Sequence, residues 1–217
     1  MLTYNPPQTP FLNVLHEDAD LLVLNKPSGL LSVPGRALDH KDSLLLRVEQ
    51  QFGEAHAVHR LDMETSGIMV VARNKATLSN LSKQFQARQT DKRYVARVWG
   101  YIAESEGEVD LPLICDWPNR PRQMVDHEVG KPSQTKWRVL EREEGGITRV
   151  SLTPITGRSH QLRVHLQAIG HPILGDPLYA NEAALKAASR LQLHAEMLAF
   201  HHPQTEQVMT MTCRADF

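Results

Sequence analysis

The stretch AVHRLDMETSGIMVVAR, residues 57–73, decides how the rest of the chain is read. Its second half, GIMVVAR (67–73), is an apolar run of strand length bounded by polar residues, the pattern of a buried strand. Its first half leaves a strand end at Ala57–Val58 and turns through Arg60, Asp62, Thr65 and Ser66. A polar turn held at both ends by core structure is a common way for a scaffold to present functional side chains. The same residues also suit a plain turn, because Asp and Ser bond readily to neighbouring backbone.

Working upstream, LNVLH (12–16) and LLVLN (21–25) flank the polar EDAD and predict a hairpin. DSLLLRVEQQF (42–52) predicts a helix capped by Asp42, with Leu45, Val48 and Phe52 on one face. Downstream, KATLSNLSKQFQARQ (75–89) places Leu78, Leu81 and Phe85 on a helical face, and RYVARVWG (93–100) alternates as a strand. Further strands are expected near 133–141, 147–153, 191–200 and 207–212, with a short helix near 181–188. A helix opening after TGRS has an apolar stripe of Leu162, Leu166 and Ile169 and stops at Gly170. Strands and helices without regular βα alternation predict an α+β fold around a mostly antiparallel central sheet flanked by helices and loops. No linker or internal repeat is visible, so residues 1–217 are expected to form a single domain.

Composition excludes several classes. Charged residues at 23% and apolar residues at 41% are globular values, which argues against wholesale disorder. No run approaches the ~18 consecutive apolar residues that span a bilayer. The first 25 residues lack Lys and Arg, and so lack the basic start of a secretory signal. The two cysteines, Cys115 and Cys213, form no CxxC pair, which predicts reduced thiols, a cytoplasmic location and no zinc site. The net charge is −1, yet residues 60–97 carry eight basic against three acidic side chains. A phosphate backbone responds to such a local face rather than to the whole-chain sum, so composition permits RNA without establishing it.

The second segment with chemical potential is TGRSHQLRVHL (156–166). Arg163 lies between Leu162 and Val164, so its cation must reach water or an anionic partner. Asp62 is the candidate partner, and the pair would keep that acid ionised. His160 and His165 are five apart, the wrong helical phase for shared metal ligation, and no metal is expected. NKPSGLLSVPG (25–35), DWPNRP (116–121) and GHPILGDPLY (170–179) supply turns. None matches a phosphate loop or dinucleotide fingerprint, so no cofactor is indicated.

In order, NKPSGLLSVPG, HRLDMETSG, KRYVARVWG, TGRSHQLRVHL and GHPILGDPLY resemble the motifs of the RluA family of pseudouridine synthases, over roughly residues 12 to 213. The resemblance implies an isomerase, with the family's α+β catalytic domain and RNA in a cleft across the sheet. It leaves no room before residue 12 for the S4-type domain that several members carry. The catalytic aspartate falls on Asp62, the active-site tyrosine on Tyr94 and the basic partner of the aspartate on Arg163. Arg60 falls where an arginine enters the RNA in place of the displaced base. His59, Thr65, Arg93, Arg158 and His160 flank these positions and are expected to meet the RNA.

DLPLICDWPNRP (110–121) and VGKPSQT (129–135) extend the likeness. They imply structured RNA as the partner, namely position 32 of tRNA anticodon stem-loops and position 746 of 23S rRNA. A monomer is the default expectation. The rivals are a sister synthase with another uridine target, a non-catalytic RNA-binding protein, and a hydrolase using His59 with Ser66 or His160 with a carboxylate. No nucleophile elbow supports the last of these.

Overall fold

A computed structural model describes residues 4–217. In chain order the elements are β1 (Val14–Glu17), β2 (Leu21–Lys26), α1 (Leu44–Phe52), β3 (His56–Ala57), β4 (Ser66–Ala72), α2 (Lys75–Gln86), β5 (Asp91–Trp99) and β6 (Glu106–Asp110). There follow β7 (Leu113–Cys115), β8 (Gln123–Val125), β9 (Gln134–Glu143), β10 (Ile147–Pro154), α3 (Gln161–Ala168), α4 (Glu182–Lys186), β11 (Leu193–His201) and β12 (Val208–Thr212). The α+β class and the antiparallel pairing expected from the sequence are both present. The chain folds as two compact units. One comprises the residues through Lys92 with Ala195–Asp216, and the other Arg93–His194 with Phe217. Their boundaries fall inside β5 and β11 rather than at a composition shift, so no linker was visible in the sequence.

In the first unit β2 pairs with both β1 and β4, and β12 pairs with β11, all antiparallel. Every residue of β4 is buried, as its unbroken apolar run predicts. Gly67 in β4 has φ +117°, and a Cβ there would lie 2.4 Å from the carbonyl oxygen of Ala195. Only glycine permits that approach. Helix α2 is capped by Asn74, whose side chain accepts the N–H of Thr77, and packs Leu81 and Phe85 against Leu21, Val23, Ile68 and Val70. The cap of α1 is Ser43 instead of Asp42. Asp42 is drawn away by Arg47, whose Nε and Nη2 donate to it at 2.8 and 2.7 Å from a buried position on the helix.

The second unit orders its strands β5-β10-β9-β6, again antiparallel. Ala96 and Val98 of β5 and Val150 and Leu152 of β10 meet Leu162 and Leu166 of α3 in its core. This packing is why α3 has the apolar stripe read from the sequence. Gly170 follows its C-cap with φ +86°. A separate hairpin, β7–β8, packs Leu113 and Val125 with Val164 and Tyr179.

Candidate active site

Asp62 stands in a loop whose backbone is fastened to the turn after β2. Ser32 Oγ donates to the carbonyl of Leu61 at 2.6 Å and accepts its N–H at 3.1 Å. The Gly29 N–H and Lys26 Nζ both donate to the Met63 carbonyl at 2.9 Å. Ser28 Oγ donates to the Glu64 carbonyl at 2.7 Å, and the Thr65 N–H closes a turn on the Asp62 carbonyl at 3.1 Å. Residues on both sides of Asp62 are therefore held by the segment NKPSGLLS, which the sequence had offered as a turn and as one of the family-like motifs.

Lys26 is the residue that sequence reasoning missed here. It is fully buried at the end of β2, and Nζ also donates to the carbonyls of Pro27 and Leu30 at 2.8 and 2.7 Å. Burial pulls its pKa down to about 7, while Asp62 and Glu64 pull the other way. Three carbonyl acceptors match the three N–H donors of the charged amine. The available signal was a lysine ending a run of buried aliphatics, since a charge so placed must find acceptors.

In the second unit the segment before α3 is equally fixed. Gln161 Nε2 donates to the Gln134 carbonyl and to Thr135 Oγ1, and its Oε1 accepts from Thr156 and from the Arg158 N–H. Arg163 is buried and forms a two-pronged bond with Asp176, Nε–Oδ2 at 2.8 Å and Nη2–Oδ1 at 2.7 Å. Asp176 is thus a carboxylate partner of Arg163, where the sequence had offered Asp62. It comes from GDPLY, thirteen residues on, and also accepts the N–H groups of Leu178 and Tyr179. The ring of Tyr179 lies 5.1 Å from the Arg163 guanidinium, and its hydroxyl stands 2.6 Å from His160 Nδ1. Tyr94 is half-buried on β5 against the core that includes Leu162.

The structure thus groups Arg60, Asp62 and Lys26 in one unit, and Tyr94, Arg163, Asp176, Tyr179, His160 and Arg158 in the other. Arg60 and Arg158 are exposed, and Arg93 is half-buried. His59 and Thr65, both expected to meet the RNA, have the following surroundings. The His59 ring stacks on Phe85 at 4.7 Å and accepts the Val70 N–H at Nε2. Burial, assisted by Lys92, pushes its pKa down to about 3, which favours the neutral ring. Thr65 is 2% exposed and its Oγ1 is buried without a partner, so this hydroxyl does not face the surface as an RNA contact requires.

Among the described residues one group, Asp18, Asp20 and His202, brings potential metal-ligating atoms within 4.8 Å of one another. His202 Nδ1 accepts the N–H groups of Gln204 and Thr205, which leaves the proton on Nε2, where it is donated to Asp18. That nitrogen has no lone pair to give a metal. No helix among the described residues is long and apolar enough to cross a membrane.

A family profile described as RNA pseudouridylate synthase matches residues 20–168, which include both the Asp62 loop and α3. The chain belongs to this family. It is 57% identical to a protein of Salmonella typhi named dual-specificity RNA pseudouridine synthase RluA, covering 100% of this chain and 99% of that one. The protein of the same name from Escherichia coli K12 is 56% identical over the same shares, and that of Vibrio parahaemolyticus is 54% identical, over 100% and 88%. Among solved structures, human RNA pseudouridylate synthase domain containing 1 superposes with a TM-score of 0.81 at 30% identity, over 98% of this chain and 87% of that one. Human RNA pseudouridylate synthase domain containing 4 gives 0.73 at 29%, over 93% and 88%. This RluA-family pseudouridine synthase is an isomerase that converts uridine to pseudouridine in RNA.

Proposed function

We propose that Asp62 is the carboxylate that acts on the ribose of the target uridine, with Tyr94 and Arg163 as its catalytic companions and Arg60 as the residue that fills the space left by the extruded base. The carrying observation is the fastening of the Asp62 loop on both sides, by Ser32 to Leu61 and by Lys26, Gly29 and Ser28 to Met63 and Glu64. A group held by such bonds is oriented before substrate arrives, which is where much of an enzyme's advantage lies.

The reaction breaks the N1–C1′ bond, turns the uracil and joins C5 to C1′. The proton on C5 is then lost and N1 gains one, so atoms and electrons balance without a redox cofactor. A carboxylate beside C1′ can attack that carbon or offset positive charge there. Extruding the base costs a few kcal/mol, and stacking on the Tyr94 ring would offset ~1–3 kcal/mol of it. Arg163, oriented by Asp176, supplies a fixed positive charge.

The names of the bacterial relatives support a dual target. On this reading the substrates are position 32 of tRNA anticodon stem-loops and position 746 of 23S rRNA, met in the cytoplasm by a monomer. The deciding experiment is Asp62→Asn, assayed by tritium release from 5-tritiated uridine in both RNAs. The expected result is loss of turnover on both, with unfolding midpoint and RNA affinity unchanged. Appreciable turnover by the variant removes Asp62 from the role. Turnover by the wild type on only one RNA removes the dual target.

A further inference from the structure

The hairpin β7–β8 carries an observation the reaction centre does not use. Its tip, residues 116–122, presents Trp117 with 64% of its surface exposed, and the Arg120 guanidinium lies 4.3 Å over the ring. An indole left this open forgoes the burial that large aromatics normally contribute to a core. The tip is nevertheless firmly built. Asn119 donates to both carboxylate oxygens of Asp116 at 3.1 and 3.0 Å, and backbone bonds run from Asp116 to Arg122, from Asn119 to Asp116 and from Arg122 to Asn119.

The base of the hairpin is anchored beside the catalytic arginine. The Gln123 N–H donates to the Tyr179 hydroxyl at 2.8 Å, and the Arg122 guanidinium stands 5.4 Å from the Tyr179 ring. Tyr179 is also the ring that Arg163 covers. The exposed indole is thus held in place relative to α3. Residues 117–122 contain two arginines and no acid, and the nearest acid, Asp116, is occupied by Asn119. A rigid aromatic face edged by guanidinium groups complements an unpaired nucleotide, whose base stacks on the ring while its phosphate meets the charge.

We infer that Trp117 and Arg120 form a second RNA contact, in which a single-stranded nucleotide other than the target uridine stacks on the open face of Trp117 and Arg120 pairs with its phosphate. The inference rests on the protein's action on RNA and adds a recognition element to it. Such a contact made equally before and during the reaction changes substrate binding and leaves the chemical step alone.

The test compares wild type with Trp117→Ala, Trp117→Phe and Arg120→Gln on a stem-loop transcript, measuring turnover, RNA affinity across salt concentrations and thermal midpoint. Trp117→Ala is expected to raise KM and Kd roughly 5- to 150-fold, the range for one lost stack, with kcat within about twofold. Trp117→Phe should recover most of that loss. Arg120→Gln should flatten the salt dependence by about one phosphate contact. RNA affinity unchanged in Trp117→Ala overturns the inference, whether or not the exposed ring captures another protein. So does a loss matched by a fall in thermal midpoint, which marks a purely structural role. Affinity is measured independently of turnover, so failure of this contact is distinct from failure of Asp62 as the catalytic group.

Discussion

Asp176→Asn tests how the second unit holds Arg163. The Asp176 carboxylate is completely buried and accepts four hydrogen bonds, two from Arg163 and two from the backbone of Leu178 and Tyr179. Arg163 is itself only 3% exposed, so neutralising its partner leaves a guanidinium charge with neither water nor this counter-ion. Breaking a buried pair from one side costs about 3–5 kcal/mol, a large part of the ~5–15 kcal/mol that keeps a domain folded. With a urea slope of about 2–3 kcal/mol per molar, the unfolding midpoint followed by circular dichroism should fall by about 1–2 M. The double replacement Arg163→Met with Asp176→Leu removes both charges, fills a similar volume and should recover most of that stability. On the role proposed for Arg163 it should recover no turnover, because the positive charge is gone. A loss below about 1 kcal/mol for Asp176→Asn, or a double variant no more stable than the single, would refute the idea that the Asp176 charge is what stabilises the buried Arg163.

Three further outcomes follow from the first unit. Lys26→Met removes the donor to three carbonyls and should cost at least about 2 kcal/mol in urea unfolding, with a fall in kcat as the Met63 backbone loosens; wild-type kcat in a folded variant would show that the loop holds without it. His59 has a folded pKa near 3, below the ordinary 6.5, so between those values the unfolded chain binds more protons and stability falls as pH drops through the window, by at most about 1.4 kcal/mol per unit. His59→Gln should flatten that acid slope, and an unchanged slope would mean the ring is not held neutral. Thr65→Val deletes a buried hydroxyl that has no partner and should leave stability unchanged or raise it by about 1 kcal/mol; a loss above 1 kcal/mol would mean the hydroxyl is satisfied in solution.

What the sequence could and could not reveal follows from the range of the interactions concerned. Periodicity is local, so β4, the β1–β2 hairpin, α2 and α3 were readable from it, with ends displaced by a few residues. The short strands β6, β7 and β8 were not, because three to five residues carry too little alternation to stand out from loop. Asp42 and Ser43 are both good caps at adjacent positions. The choice between them was made by Arg47, five residues away, which a cap preference does not weigh. Pairings set by the fold were still less visible. Any of several acids could have answered Arg163, and only the packing of GDPLY against α3 brings Asp176 to it. His59 read as a polar loop residue because nothing in HRLD shows that its ring would stack on Phe85, 26 positions later.

The two segments for which catalytic roles are proposed are fastened in different ways. Asp62 lies in a polar loop and Arg163 in the first turn of α3, and neighbouring residues restrain each of them. For Asp62 the restraint acts on the neighbouring backbone, through Lys26, Ser28, Gly29 and Ser32. For Arg163 the restraint acts on the side chain, through Asp176 and the ring of Tyr179. A guanidinium has five donors, so two of them can hold Arg163 in position while its charge still acts at a distance. On the roles proposed above, fixing the backbone around Asp62 and the side chain of Arg163 would orient both groups before substrate arrives.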